Sequence, residues 1–284
     1  MKIAILGKGY IGNYLAKTTV PNWEISHYSK KSLDYSNFSI FKDFLLTEKP
    51  DWIINTSGYT GKPNVDSCED HKAECFKYNV EVPVLLTKAA NKMKIPIIHI
   101  GSGCIYNGYD KEFTEDDPSN FGIEQSYSSF YSKTKDIFEK LTAHMDRYVF
   151  RIRIPFNSVA EPKNYLWKLL NYNNLINMRN SLTNVDELVN FTYKFISCRC
   201  FNEKPPVGIY NVVNNGAINE QEVVDILKEN GLENPNWNFV SLEDANFRVA
   251  RSNCILSTQK INNLGLGLSD IKTIIKKAVE NYNK

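Results

Sequence analysis

The glycine-rich turn near the start of the chain constrains the fold more than any other stretch. An apolar run, 2–6, predicts a short β-strand, and residues 13–19 have a helical pattern. Between them Gly7, Gly9 and Gly12 form a G-x-G-x-x-G sequence. Gly7 permits the tight turn, Gly9 lets the backbone approach a pyrophosphate, and Gly12 allows the helix to pack closely on the strand. We therefore predict a Rossmann-type, doubly wound α/β fold with a parallel sheet that binds a dinucleotide.

The segment after the second predicted strand, 23–28, bears on the choice of dinucleotide. NAD-selective sites usually place an acid here, where it binds the ribose 2′-hydroxyl. This chain instead has Ser29, Lys30 and Lys31. Hydroxyl and ammonium groups suit a 2′-phosphate, which favours NADPH over NADH, although lysines after a strand are often simply solvated. Asp34, a few residues later, approaches the adenine or caps the next turn.

A second constellation follows the apolar run 95–100, which predicts another strand. Ser102 comes directly after this strand, and Tyr131 precedes Lys135 by four residues, which places the phenol and the ammonium on one face of a helix. A lysine beside a tyrosine stabilises the phenolate and lowers the phenol pKa. Because the chain has 16 Tyr and 34 Lys plus Arg, this spacing alone is weak evidence. Behind a dinucleotide turn, however, it predicts a carbonyl-reducing site.

The candidate binding residues fall into two groups, both expected at the carboxyl ends of the strands. Residues 59–69 are rich in Gly, Pro, Asn and Asp, which predicts an irregular loop that reaches the substrate. The predicted cofactor-binding residues are Gly7, Gly9, Tyr10, Ile11, Gly12, Ser29, Lys30, Asn55, Ser57, Gly58, Tyr131, Lys135 and Ile154. The predicted substrate-binding residues are Thr60, Asn64, Asp66, Cys104, Asn164, Arg251 and Asn253.

The length of the chain, and the loss of regular alternation between predicted strands and helices in its second half, predict two structural units. We expect residues 1–156 to form the NADP-binding domain, with a returning strand and helix near 185–213. Residues 157–184 and 214–284 are expected to form a smaller substrate-binding lobe. A chain of 284 residues is long enough for this arrangement.

Composition argues against several classes of partner. The formal net charge is +2, and no dense Lys/Arg cluster alternates with aromatic residues, so we expect no nucleic-acid partner. The first residues lack a signal-peptide pattern and no apolar run has membrane-spanning length, which predicts a cytoplasmic protein without a membrane partner. The six cysteines and four histidines lack the spacing of a metal site. A homodimer is expected through the helix that bears Tyr131.

Several motifs together resemble a known family. The segments GKGYIG, NTSG, GSGCIY and YSKTK occur in the order and spacing of the extended short-chain dehydrogenase/reductases. Further segments, GYTGKPNVDSCEDH, RIRIP, EPKNYLWK and NSLTNVDEL, resemble the bifunctional 3,5-epimerase/4-reductases that form UDP-rhamnose. The stretch Arg251-Ser252-Asn253 resembles the RPxNSxL signature of dTDP-4-dehydrorhamnose reductases, but it lacks the proline. UDP and dTDP therefore both stay open.

The resemblance implies a role for each catalytic candidate. Tyr131 would protonate the C4 oxygen as NADPH delivers hydride to C4, while Ser102 holds the carbonyl and Lys135 lowers the tyrosine pKa and binds the nicotinamide ribose. Cys104 and Lys168 would invert C3 and C5 through an enolate, because protons beside the 4-keto group are acidic. The resemblance thus implies conversion of UDP-4-keto-6-deoxy-D-glucose to UDP-L-rhamnose.

Three alternatives remain at this point. In the first, the chain is only a reductase, which acts on substrate epimerised elsewhere. In the second, it is a non-enzymatic regulatory subunit that binds NADPH, and in the third it is a redox-neutral epimerase that retains NAD through its cycle. Without the resemblance, Cys104 is equally well interpreted as a small buried residue, and Lys168 as a solvated helix lysine.

Overall fold

A six-stranded sheet carries the glycine turn. The computed structural model describes residues 1–62, 64–197, 206–245 and 247–282. The strands of this sheet are β1 (Lys2–Leu6), β2 (Glu24–Tyr28), β3 (Trp52–Asn55), β4 (Ile97–Ser102), β6 (Tyr148–Ile152) and β10 (Gly208–Asn211). Their order across the sheet is β2-β1-β3-β4-β6-β10. Strand β1 pairs in parallel with β2 and β3, and β3 pairs in parallel with β4. The predicted α/β fold with a parallel central sheet is confirmed.

The helices follow the strands as a doubly wound fold requires. They are α1 (Tyr10–Lys17), α2 (Phe38–Glu48), α3 (Lys72–Phe76), α4 (Val82–Lys92), α5 (Phe130–Leu141), α6 (Tyr165–Asn171), α7 (Val185–Ser197), α8 (Glu220–Glu229), α9 (Gln259–Asn263) and α10 (Ile271–Glu280). A π-helical segment, Lys77–Glu81, joins α3 to α4, so the helical backbone continues from 72 to 92 with a local widening. Pro83 lies directly after this widened segment, at the start of α4.

The chain divides into two compact units. The first comprises residues 1–105, 118–151 and 206–210 and contains the six-stranded sheet, apart from the last residue of β6 and of β10. A cluster of buried apolar residues from β1, β3, α2, α4 and the start of β4 forms one of its cores, and it includes Leu6, Phe41, Ile53, Leu86 and Ile97. These side chains come from alternate sheet positions and one helix face, the pattern that buries apolar surface in this fold class.

A buried ion pair ties α5 to β6 within the first unit. Arg151 donates from Nη2 to Oε2 of Glu139 over 2.6 Å, and from Nε to both carboxylate oxygens over 3.1 and 3.2 Å. Both side chains are buried. Removal of one partner would leave a buried charge, which is strongly unfavourable. Glu139 is four residues after Lys135, so the pair fixes the helix that carries two catalytic candidates.

The second unit comprises residues 106–117, 152–205 and 211–284. Its core packs α6, α8 and α10 through Leu166, Val223, Leu227, Ile271 and Ile275. Three two-stranded sheets lie in it, formed by β5 (Gly108–Phe113) with β12 (Cys254–Leu256), β7 (Pro155–Phe156) with β9 (Thr183–Asn184), and β8 (Asn174–Leu175) with β11 (Asn238–Phe239). The predicted domain boundary at residue 156 stays a prediction. Residues 198–205, part of the expected returning strand and helix, lie outside the described residues.

Strand β5 has its partner, β12, far away in sequence, so this pairing is invisible to local patterning. Helix α5, which bears Tyr131 and Lys135, ends at Leu141. No helix among the described residues is long and apolar enough to cross a membrane.

Candidate functional site

The glycine turn after β1 has the geometry of a phosphate cradle. Gly7 has φ +103°, and a Cβ on Gly7 would lie 2.7 Å from the Ser57 nitrogen. A Cβ on Gly12 would lie 2.0 Å from the Gly7 oxygen, so both positions exclude side chains. A Cβ on Gly9 would meet no atom within 4 Å, and no side chain caps the N-terminus of α1 that follows it. The space at Gly9 and the N–H groups of α1 fit a dinucleotide pyrophosphate.

This difference between the glycines yields a first prediction. Gly9→Val should fold normally, because Gly9 has φ −95° and faces open space. The isopropyl group would occupy the phosphate position and raise the NADPH dissociation constant at least about tenfold. Isothermal titration calorimetry measures the affinity, and thermal unfolding checks the fold. Gly12→Ala is the contrasting variant, and its melting temperature should be lowered. If folded Gly9→Val bound NADPH with unchanged affinity, the assignment of this turn as the phosphate cradle would be contradicted.

The strand ends beside this turn supply the remaining cofactor candidates of the first unit. After β2, Ser29 closes a tight turn with Ser32, since each backbone N–H donates to the hydroxyl of the other residue over 2.9 and 3.2 Å. The ammonium of Lys30 donates to the hydroxyl of Tyr78 and lies 4.8 Å from its ring centroid. Tyr78 is in the π-helical segment, and sequence analysis missed it.

A buried hydrogen-bond chain shapes the end of β3. Asn55 accepts from the Ser57 backbone N–H at 3.0 Å and from its hydroxyl at 2.5 Å, and its amide donates to Nδ1 of His99 at 3.0 Å. Nε2 of His99 then donates to Thr87 at 3.0 Å in the tautomer that this chain requires. Burial lowers the pKa of His99 to about 3, so the ring stays neutral. The structural role expected for a histidine in this strand is therefore supported by its contacts.

Ser102, Tyr131 and Lys135 lie together at the end of β4 and on α5. Ser102 lies near enough to Tyr131 to lower the pKa of its phenol, and the Cys104 backbone N–H donates to Ser102 Oγ over 3.2 Å. The Lys135 ammonium lies 5.6 Å from the Tyr131 ring centroid. Cys104 packs against the cluster of Cys68, Cys75 and Tyr131. Four of the five predicted catalytic residues thus belong to one locale of the first unit.

Burial has the largest effect on the electrostatics of this locale. It raises the pKa of Tyr131, proximity to Cys104 raises it further, and Ser102 offsets only part of this. The expectation that Lys135 lowers the pKa of this phenol stays a prediction. Burial also lowers the pKa of Lys135. A phenol that retains its proton at neutral pH is suited to donate it.

Asn79 connects the π-helical segment to the catalytic helix. Its amide donates to the Tyr59 carbonyl over 2.9 Å and to Thr134 Oγ1 over 3.2 Å, and its oxygen accepts from the Tyr59 N–H over 2.8 Å. Thr134 in turn donates to the Tyr131 carbonyl over 2.7 Å. These bonds fix the start of the 59–69 loop against α5. In that loop Thr60 is exposed, while Asn64 caps the short helix Val65–Cys68 by accepting from the Asp66 N–H.

The second unit holds the other predicted site residues. A cavity of about 430 Å³ is lined by Tyr109, Met178, Phe247, Arg251 and Asn253, among others. The Arg251 guanidinium lies 4.1 Å from the Phe247 ring centroid. Asn253 accepts from the amide of Asn180 over 3.0 Å. Arginine and amide groups in one cavity suit an anionic, hydrogen-bonding ligand.

Helix α6 carries the remaining candidates. Lys168 is half-buried, and desolvation lowers its pKa, with Lys163 adding to the shift. It is therefore not the fully solvated lysine that local sequence suggests. Asn164 is fully buried; its oxygen caps α6 at Leu166 and its amide donates to the Asn157 carbonyl over 2.8 Å. Ile154 has φ +36°, unusual for a β-branched residue. Roles for Asn164 and Ile154 in ligand binding stay predictions.

Comparison with known proteins decides the family. The sequence profile described as "RmlD substrate binding domain" matches residues 1–284. The chain belongs to this family. A bifunctional dTDP-4-dehydrorhamnose 3,5-epimerase/dTDP-4-dehydrorhamnose reductase of Arabidopsis thaliana is 31% identical, with 99% of this chain and 93% of that protein covered. The crystal structure of the L780 UDP-rhamnose synthase from Acanthamoeba polyphaga mimivirus matches with a TM-score of 0.87 and 26% identity, over 99% of each chain.

Other relatives differ in length or are more distant from this member of the RmlD family. Trifunctional Arabidopsis thaliana proteins with a UDP-glucose 4,6-dehydratase are 30–31% identical, but the chain spans only 42–43% of their length. A dTDP-4-dehydrorhamnose reductase from Bacillus anthracis, solved in complex with NADP, shares the fold at a TM-score of 0.81 and 18% identity over 99% of this chain and 98% of that chain. The resemblance noted from the motifs is thereby confirmed at the level of the family.

Proposed function

We propose that this protein is an NADPH-dependent enzyme that converts UDP-4-keto-6-deoxy-D-glucose to UDP-L-rhamnose, by epimerisation at C3 and C5 and reduction at C4. The observation that carries the proposal is the grouping of Ser102, Cys104, Tyr131 and Lys135 within the first unit. The names of its Arabidopsis thaliana relatives include reductases of 4-keto sugars, and that of the bifunctional protein also includes an epimerase. The nucleotide is proposed as UDP, with dTDP as the alternative.

The cofactor fits the residues present. The open space at Gly9, the uncapped start of α1 and the ammonium of Lys30 would hold the pyrophosphate and the 2′-phosphate of NADPH. When bound, NADPH supplies hydride to C4. Lys135, beside Gly58, is positioned to bind the nicotinamide ribose hydroxyls, since a Cβ on Gly58 would lie 3.7 Å from its ammonium.

The reduction step uses the hydroxyl pair. Ser102 donates to the C4 carbonyl oxygen and orients it, and Tyr131 transfers its phenolic proton to that oxygen as negative charge develops there. The raised pKa of Tyr131 keeps this proton in place until the sugar oxygen becomes more basic than the phenolate. The Lys135 ammonium then stabilises the phenolate that remains.

The epimerisation step needs an acid and a base. We assign these to Cys104 and Lys168 because the motifs that contain them resemble the epimerase/reductases; one of the two acts as the base in its deprotonated form, and the other keeps its proton and acts as the acid. The lowered pKa of Lys168 brings its ammonium closer to a useful acid at neutral pH. One group removes the proton at C3 or C5, the 4-keto oxygen takes the charge as an enolate, and the other group returns a proton to the opposite face. In the second unit, Arg251 in its cavity suits the diphosphate.

A two-stage assay tests the proposal. Purified protein is incubated with UDP-4-keto-6-deoxy-D-glucose in D₂O without NADPH, and deuterium at C3 and C5 is followed by NMR. NADPH is then added, and the product should be UDP-L-rhamnose. Exchange without reduction would show that the assignment of reductase activity is wrong. Reduction of pre-epimerised substrate without exchange would favour the alternative in which the chain is only a reductase. Absence of both with UDP and dTDP sugars would overturn the proposal.

Assembly and location are further parts of the proposal. We propose a homodimer in the cytoplasm, as expected from the sequence. Sedimentation equilibrium of the purified protein tests the first, and fractionation of cells tests the second.

A further inference from the structure

The contact between Lys30 and Tyr78 joins two distant parts of the first unit. Lys30 follows β2, whereas Tyr78 lies in the π-helical segment 48 residues later. The Lys30 ammonium donates to the phenol oxygen and also lies over the ring. Lys77 approaches the same ring, with its ammonium 5.9 Å from the centroid. One phenol is thus in contact with two ammonium groups beyond the carboxyl end of β2.

The acid closest to this group is already engaged. Asp34 accepts from the Ser36 hydroxyl over 2.5 Å and from its backbone N–H over 3.3 Å. The Ser36 hydrogen bond is the largest cause that lowers the pKa of Asp34, and the charges of Lys30 and Lys77 lower it further. Asp34 therefore caps the turn after β2, which is one of the two roles that the sequence predicts for it. The ribose-binding position is dominated by cationic and phenolic groups.

The phenol changes what Lys30 is able to do. A lysine side chain is flexible, and ordering it on a phosphate costs rotamer entropy. Tyr78 holds the ammonium before any ligand arrives, which reduces this cost. Because the phenol oxygen accepts the Lys30 hydrogen bond, the phenolic O–H is left to donate to a phosphate oxygen.

We propose that Tyr78 is a specificity-determining residue, which positions Lys30 and with Lys77 completes a site for the 2′-phosphate of NADPH. The proposal rests on the proposed function, since it concerns that cofactor. It places selectivity for the phosphorylated dinucleotide partly on the π-helical segment and not on the β2 turn alone. Ser29, whose hydroxyl is held by Ser32, contributes less to phosphate binding than Lys30.

The test is a direct binding measurement that needs no sugar substrate. Isothermal titration calorimetry compares adenosine 2′,5′-bisphosphate with 5′-AMP, and NADPH with NADH. Tyr78→Phe keeps the ring under Lys30 and removes only the hydroxyl. We expect the dissociation constants for the two 2′-phosphorylated ligands to rise at least about tenfold, as for loss of a hydrogen bond to a charged group. Those for 5′-AMP and NADH should change less than about twofold.

A double-variant cycle separates positioning from independent binding. Lys30→Ala should weaken the 2′-phosphorylated ligands more than Tyr78→Phe does, and the double variant should be weakened by less than the product of the two single effects. Lys92→Ala is the matched control, because it removes a lysine 5.2 Å from the Phe38 ring centroid. It should leave discrimination unchanged. Thermal unfolding and 5′-AMP affinity report whether each variant is folded.

The outcomes distinguish this proposal from the proposed function. If the wild-type protein binds the bisphosphate no better than 5′-AMP, the assignment of NADPH fails and Tyr78 has no 2′-phosphate to recognise. If the wild-type protein discriminates but Tyr78→Phe does so equally well, only the role of Tyr78 is overturned. Equal weakening of all four ligands would likewise overturn it, since the residue would then support the fold and not the phosphate.

Discussion

Tyr131→Phe is expected to lower the rate constant for reduction of the 4-keto group by about 10²- to 10⁴-fold, the usual contribution of a positioned general acid. Phenylalanine keeps the ring in its cluster with Cys68 and Cys75, so only the proton donor is lost. Single-turnover decay of NADPH absorbance with pre-epimerised substrate measures this step without interference from epimerisation. Affinity for NADPH should stay within about threefold of the wild type, because Lys135 remains.

A matched variant controls for the loss of a tyrosine hydroxyl in the same unit. Tyr127 is exposed, and its hydroxyl donates to the Asn120 carbonyl over 3.3 Å. Tyr127→Phe should reduce substrate at a rate within about twofold of the wild type, as expected of a surface change. If Tyr131→Phe retained more than about a tenth of the wild-type rate, the proton would have to come from another group, and the assignment of the acid would be wrong.

The glycine turn shows why part of this site is readable from the sequence. Gly7 has a positive φ, and a Cβ on Gly12 would meet the Gly7 oxygen; both features follow from the local strand, turn and helix order. Asn219 likewise forms the capping box with Glu222 at the start of α8. Such features depend on residues a few positions apart, which is the range over which sequence patterns carry information.

Contacts between distant segments are what the sequence does not supply. Nothing local links Lys30 to Tyr78; the parallel pairing of β1 with β2 and β3 and the helical crossovers bring them together. The pKa of Tyr131 depends on such contacts as well. The neighbouring charge of Lys135 is visible in the sequence, whereas the burial that raises the pKa of Tyr131 depends on the whole fold around α5.

Asn164 and Lys168 illustrate the limit on assigning roles by motif. Both lie in the segment that resembles the epimerase/reductases, one helical turn apart. The structure uses both polar atoms of the Asn164 side chain to cap α6 and to hold the preceding loop. Lys168, in the same helix, keeps a partly accessible ammonium with a lowered pKa. The motif alone gives no way to distinguish the two residues. The polar atoms of Asn164 are engaged in structural hydrogen bonds, whereas the Lys168 side chain is partly accessible to a ligand.

Cys104→Ala is the second large effect that we expect. It should lower exchange of solvent deuterium into C3 and C5 by at least about 10²-fold, because no thiol remains to carry the proton. Reduction of pre-epimerised substrate should stay within a few-fold of the wild type, since the hydroxyls of Ser102 and Tyr131 remain. The Cys104 backbone N–H still donates to Ser102, so the hydroxyl pair keeps its orientation. NMR in D₂O without NADPH measures the exchange.

Tyr131→Phe and Cys104→Ala together test whether reduction and epimerisation depend on different residues of the same protein. Cys254→Ala removes a buried thiol from β12 and should leave both activities near wild-type levels, which controls for loss of a cysteine. Lys168→Met should abolish exchange as Cys104→Ala does if the pair supplies acid and base. Tyr131→Phe should show the reverse pattern, with exchange retained and reduction lost. If Cys104→Ala instead stopped reduction and exchange equally, the thiol would serve the shape of the site, and its assignment as the acid or base of epimerisation would be wrong.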